Sequence, residues 1–199
     1  MKIGVLALQG AFREHLDTLE TIGVEGVRVR EPADLDGISG LILPGGESTT
    51  MRQLIERWKL ADPIIALADR GAPIFGTCAG MIVLASEIVG GEPPILPMLD
   101  VTVERNAFGR QLDSFEAELD VPVLGATPVH AVFIRAPIIE EVGPQVDVIA
   151  RLEDGTIVAA KQDWLLATSF HPEMTDDERF HRYFVDLVRA RARPAPAVE

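Results

Sequence analysis

Apolar residues in the first half of this chain fall in short compact runs separated by stretches with helical spacing. Lys2 to Leu8, Val24 to Val29, Gly40 to Leu43 and Ile74 to Thr77 are apolar blocks of strand length. Between them, Ala11 to Thr21, Thr49 to Trp58 and a shorter stretch near Pro63 to Arg70 have the apolar periodicity of helices, and a further helix starts at Ala79 and takes in the run Met81 to Ala85. This alternation predicts an α/β fold: a mostly parallel central sheet with helices on both faces. In such sheets ligands bind at the carboxyl ends of the strands, where Gln9-Gly10, Pro44 to Ser48 and Gly76 to Gly80 all fall.

The second half has a different pattern. Leu99 to Arg105, Phe115 to Leu119, Ala131 to Arg135, Val146 to Leu152, Thr156 to Lys161 and Leu165 to Phe170 read as strands, and Asp154-Gly155 is a hairpin signal between two of them. They are expected as added antiparallel strands of the same unit, because no Pro/Ser/Gly-rich linker divides the chain. A last helix opens at Thr175-Asp176-Asp177-Glu178, read as a capping box, and carries Phe180, Tyr183, Phe184, Leu187 and Val188 on one face. Residues 1–190 are expected to form one domain, and Arg191 to Glu199, rich in Pro and Ala, a disordered tail.

Composition narrows the function. A chain of 199 residues buries roughly 70% of its unfolded surface and needs no covalent staple. Its single cysteine precludes an internal disulfide, and no apolar run approaches membrane-spanning length, so a cytoplasmic protein is expected. The net charge of −13 argues against nucleic acid as a partner. No Cys/His cluster suggests a metal, and no cofactor is implied.

The lone cysteine carries the chemistry. Cys78 sits in Gly76-Thr77-Cys78-Ala79-Gly80, between a strand and a helix. A nucleophile on so sharp a turn needs glycines on either side, because a Cβ would strike neighbouring backbone. The helix start beyond it favours a thiolate, the reactive form. Among the histidines His171 has the surroundings of a base. Pro172 pushes it toward extended geometry, in which Glu173, two residues on, shares its side and can orient the ring. His15, His130 and His181 read as surface or packing residues. Pro44-Gly45-Gly46-Glu47-Ser48 offers backbone donors for an oxyanion, or a turn in which Ser48 or Thr49 caps the next helix; the two are compatible.

With these motifs in place the chain resembles the class I, triad glutamine amidotransferases. The resemblance rests on Gly-Thr-Cys-Ala-Gly and Phe170-His171-Pro172-Glu173, and it implies a flavodoxin-like three-layer architecture. Leu8-Gln9-Gly10-Ala11, Arg13-Glu14-His15, Pro44 to Thr49, Val103 to Gln111 and Phe133 to Pro137 are similar to the glutaminase subunits of pyridoxal 5′-phosphate synthase within that family. The resemblance covers about residues 1–188. It implies hydrolysis of L-glutamine to L-glutamate and ammonia, the ammonia passing to a synthase subunit in a multi-subunit complex for vitamin B6 synthesis. Cys78 would then be the nucleophile, His171 the base and Glu173 its orienter. Gly46, Glu47, Ser48, Arg105, Ile134 and Arg135 would line the glutamine site. Gln9, Gly10, Gly45 and Ala79 would lie near the oxyanion region and the partner interface. Met174 departs from the Leu more usual after His-Pro-Glu, a volume-conserving change. From the residues alone, Arg105 and Arg135 serve equally as carboxylate hooks or as surface ion-pair partners. A cysteine hydrolase of another amide or ester, and a non-catalytic binding subunit, are the competing readings, and the intact Cys/His/Glu set counts against the second.

Overall fold

The structure, a computed structural model, describes residues 1–105, 107 and 114–192. Most of the Asn106 to Gln111 segment quoted above, and residues 193–199 of the expected tail, lie outside the described residues. The parallel part of the main sheet contains β1 (Lys2–Leu6), β2 (Glu25–Val29), β3 (Gly40–Leu43) and β4 (Ile74–Thr77) in the order β2-β1-β3-β4. These are joined by α1 (Phe12–Thr21), α2 (Ser48–Arg57) and α3 (Ala61–Asp69), and β4 is followed by α4 (Ala79–Leu84).

Alternation of side chains along each strand explains why helices cover both faces. On β1, Ile3 and Val5 point into the same apolar layer as Ile42 of β3 and Phe75 of β4, and this layer is closed by Leu19 of α1 and by Phe180, Phe184 and Val188 of α5 (Arg179–Ala192). Leu6, Leu41, Leu43 and Ile74 point the other way, into a layer closed by Met51 and Ile55 of α2, Ile64 and Leu67 of α3, and α4.

The rest of the main sheet consists of β5 (Ala85–Ile88), β6 (Leu99–Glu104), β9 (Ile138–Val142), β10 (Asp147–Arg151), β11 (Ile157–Gln162) and β12 (Leu165–Thr168). The path runs β4-β12-β11-β9-β6-β5, with β10 on β11. Although it comes late in the chain, β12 pairs in parallel with β4, Thr168 level with Thr77, while β11 is antiparallel to β12. A separate antiparallel pair, β7 (Ser114–Leu119) and β8 (Val129–Ile134), packs Phe133 and Ala131 onto the α1/α5 layer.

The expected architecture is present, including the hairpin at Asp154-Gly155, where Gly155 has φ 91°. Three local expectations are corrected. The helix after Cys78 stops at Leu84, and Ala85 begins β5 rather than continuing the helix. Strand β9 was not anticipated, because Pro137 precedes it and Glu140-Glu141 interrupt its apolar pattern. The last helix starts at Arg179, whose N–H is accepted by the Asp177 carboxylate (3.1 Å), so Asp177 takes the role assigned to Thr175 and Glu178; the helix also runs through Ala192, past the expected start of the tail.

Phe75 is fully buried where these elements meet, its ring centroid 5.6 Å from that of Phe184 and 6.5 Å from that of Phe180. Phe75→Ala is expected to cost about 3–5 kcal/mol, read as a lower denaturation midpoint at unchanged m-value.

Candidate active site

Four strand ends deliver the site. The ends of β1, β3 and β4 carry Gln9-Gly10, Gly45-Gly46 and Cys78, and β12 leads through Ser169 and Phe170 to His171. Cys78 adopts φ 48° and ψ −106°, a left-handed conformation costly for a residue with a Cβ. Its N–H is tied to the Thr168 carbonyl at 2.7 Å, so the β4/β12 ladder holds the turn. A Cβ on Gly76 would lie 2.5 Å from the Gly80 carbonyl oxygen, and one on Gly80 would lie 1.9 Å from that of Leu43. The two glycines flanking the cysteine are therefore steric requirements of the turn.

His171 is fixed from several sides. Its N–H donates to the Val132 carbonyl of β8 (2.9 Å), and Phe170 packs against Phe133 and Phe180. Its Nδ1 lies 2.7 Å from Glu173 Oε1. The route to that contact differs from the extended geometry expected: Pro172–Met174 form a single 3-10 turn, which folds the carboxylate back onto the ring. A Cβ on Gly45 would lie 2.2 Å from His171 Cε1 and 3.3 Å from Cys78 Cβ, so thiol and imidazole crowd the same piece of bare backbone. The Cys78 thiol also points toward the Ile134 carbonyl at 3.9 Å.

Charge follows from this packing. Burial alone would pull the His171 imidazole down, but interaction with Cys78 and with the Glu173 carboxylate outweighs it and raises the ring from 6.5 to about 10. The imidazole therefore holds its proton between the Cys78 sulfur and the Glu173 carboxylate. Burial pushes the Glu173 carboxyl up, while the imidazoles of His15 and His171 pull it down further, so it stays an anion.

Cys78 and His171 open on a cavity of about 520 Å³, which Gly10, Gly45, Gly46, Glu47, Ser48, Ala79, Arg105, Ile134 and Arg135 also line. Gln9 closes over Gly46: its Nε2 donates to the Glu47 carbonyl and its Oε1 accepts the Glu47 N–H, both at 3.2 Å. The expected site residues thus converge, and the structure refines three of them. The α2 cap is Glu47, whose carboxylate accepts the N–H groups of Thr49 (3.0 Å) and Thr50 (2.7 Å), not Ser48 or Thr49. These bonds overcome the upward push of burial and hold the Glu47 carboxyl down to about 2. Gly45 spends its N–H on Thr77 Oγ1 (3.1 Å), so it shapes the cavity wall without offering that donor to an oxyanion. Arg105 is held by Glu92, Nη1 to Oε2 at 2.7 Å, whereas Arg135 makes no ion pair among the described residues.

The family model of the SNO glutamine amidotransferase family matches residues 5–190. The chain belongs to this family. Over 188 residues it is 54% identical to the pyridoxal 5′-phosphate synthase subunit PdxT of Moorella thermoacetica, covering 94% of this chain and all of that one. A crystal structure of a glutamine amidotransferase, 49% identical, superposes with a TM-score of 0.89 over 94% of this chain and 98% of the other. PurLQS from Thermotoga maritima, at 19% identity and a TM-score of 0.70 over 93% of this chain and 97% of that one, shows the shared fold.

Sequence reasoning missed two buried residues behind this cavity, His15 and Thr77. His15 is fully buried, four residues after Ala11 and four before Leu19 on the inward face of α1. That spacing is the available signal, and the reading of His15 as a surface or packing residue overlooks it. No helix among the described residues is long and apolar enough to cross a membrane.

Because Glu173 is one of the groups that raise His171, Glu173→Gln is expected to lower the pH at which the imidazolium is lost. Imidazole titration by NMR should show the wild-type ring protonated up to about pH 10 and the variant ring losing its proton at lower pH.

Proposed function

We propose that this chain is the glutaminase subunit of a pyridoxal 5′-phosphate synthase, hydrolysing L-glutamine to L-glutamate and ammonia and passing the ammonia to a synthase partner. The observation that carries this reading is the Cys78/His171/Glu173 set at one cavity, in a chain of the SNO glutamine amidotransferase family. Full-length similarity to proteins named as subunits of pyridoxal 5′-phosphate synthase supplies the partner. We take residues 1–190 as a single glutaminase domain, in keeping with the span the family model matches. A lone cysteine that works reduced fits the cytoplasm.

In the mechanism, the Cys78 thiolate attacks the side-chain amide carbon of glutamine, and the carbonyl oxygen becomes an oxyanion. Gly46 and Ala79 backbone amides on the cavity wall are its donors, with Gln9 and Gly10 at the rim near the partner interface. The His171 imidazolium gives its proton to the amide nitrogen, the C–N bond breaks, and ammonia leaves behind a γ-glutamyl thioester on Cys78. Water then attacks the thioester while His171 takes one of its protons, and collapse releases glutamate and restores the thiolate–imidazolium pair. Glu173 remains ionised throughout and keeps Nδ1 as the donor to itself. Glu47, Ser48 and Ile134 shape the substrate pocket. Arg135 and Arg105 are the candidates for holding the α-carboxylate; Arg105 must be shared with Glu92.

The test uses purified chain mixed with its synthase partner and follows glutamate release. Cys78→Ala is expected to reduce it by at least about a thousandfold while the complex still forms. Undiminished turnover in that variant would remove Cys78 as nucleophile. Turnover of unrelated amides or esters by the wild-type complex, with none of glutamine, would favour a different hydrolase.

A further inference from the structure

Behind the site lies a closed polar chain that the reaction as described does not use. His15 Nε2 is 3.1 Å from Thr77 Oγ1 and 3.5 Å from Glu173 Oε2, and its Nδ1 is 2.9 Å from His181 Nε2. His15, Thr77 and His181 are fully buried, and Glu173 nearly so. Buried polar atoms are almost always partnered, yet Glu173 Oε2 and His181 Nδ1 have no hydrogen-bond partner among the described residues. Both belong to this one cluster.

The tautomer of His15 decides how these atoms are accommodated. Burial pulls His15 below its ordinary range against the opposing pull of Glu173, and burial with the neighbouring His15 pulls His181 down to about 3, so both rings are neutral and each carries one N–H. If His15 carried it on Nδ1, a lone pair on Nε2 would face the Glu173 carboxylate, and His181 would bury an N–H with nothing to receive it. If His15 carries it on Nε2, that N–H faces both Thr77 Oγ1 and Glu173 Oε2. His181 Nε2–H then donates to His15 Nδ1, leaving a bare lone pair on His181 Nδ1. Each arrangement leaves one donor without an acceptor, the His181 Nδ1–H in the first and the Thr77 hydroxyl in the second, but only the second places a donor rather than a lone pair against the otherwise unpartnered anionic oxygen, and it is the lower in energy.

We propose that His15 is a positioning residue for the glutaminase reaction: its Nε2–H, set by His181, holds Glu173 Oε2 so that Oε1 remains on His171 Nδ1. At 3.5 Å the contact with Oε2 is electrostatic rather than a full hydrogen bond, so it orients the carboxylate without competing for it. Thr77 extends the effect. Its hydroxyl oxygen accepts the Gly45 N–H, fixing the backbone that crowds His171 and Cys78. The charged and titratable groups acting on His15 are Glu173 and His171 from the His-Pro-Glu turn, His181 from α5 and Glu14 from its own helix.

This inference rests on the glutaminase reading and is tested in the wild-type complex and three variants, His15→Phe, His15→Asn and His15→Gln. Gln places an amide N–H near the position of Nε2, whereas Asn mimics Nδ1 and Phe mimics neither. Expected results are a fall in kcat of about tenfold or more for Phe and Asn with KM little changed, and recovery to within about threefold of wild type for Gln. The alkaline limb of the kcat profile should also move to lower pH in Phe and Asn, because a displaced Glu173 raises His171 less. Should the Phe variant fail to fold, the Asn and Gln pair decides. Wild-type kcat and an unmoved alkaline limb in Asn, or equal impairment of Asn and Gln with the limb unmoved, would overturn the role. Absence of glutaminase activity in the wild-type complex would instead sink the underlying reading.

Discussion

The parallel ladder between β4 and β12 is the constraint on which the rest of the site depends. It sets Thr168 level with Thr77, so the residues that leave the two strand ends enter the same space. The Cys78 N–H bonded to the Thr168 carbonyl turns that register into a fixed turn, and His171 follows three residues after Thr168. A register slip of one residue would carry His171 to the other side of its strand. The large apolar side chains around the ladder, Phe75, Phe170, Phe180 and Phe184, resist such a slip because each is fully buried.

Within that frame the site manages a buried charge. The His171 imidazolium is buried between the Glu173 carboxylate and the Cys78 sulfur, an arrangement that is tolerable only if each of these partners receives a donor. His171 supplies one to each side, and this explains why its proton is held so far above the ordinary imidazole range. The outer oxygen of Glu173 is the exposed weakness of the arrangement, and the buried histidine behind it is the group placed to meet it. Glycines do complementary work: at Gly10, Gly45 and Gly80 a Cβ would come within 2.2 Å of a neighbouring atom, so bare backbone is what allows the strand ends to converge.

Much of this was legible in the sequence because it is local. The Gly-x-Cys-x-Gly turn and the alternation of strands and helices announce a nucleophile at a sheet edge, and His171-Pro172-Glu173 announces an oriented base. What was not legible is non-local or weakly patterned. Strand β5 spans four residues, too few to show a period, and β9 carries two glutamates on a short run. The Glu47 cap was hidden because Ser48 and Thr49, better cap formers by residue type, stand beside it. His15 could be connected to Glu173 only once α1, β4 and α5 were packed, since its partners Thr77 and His181 lie 62 and 166 positions away.

The most direct measurement of the central claim is an acid quench of the assembled complex during glutamine turnover, followed by peptide mass analysis. A γ-glutamyl thioester is expected on the peptide containing Cys78, forming and decaying at rates consistent with glutamate release. Steady glutamate release with no adduct on that peptide, under conditions where hydrolysis of the thioester is slowed, or an adduct on any other residue, would contradict it.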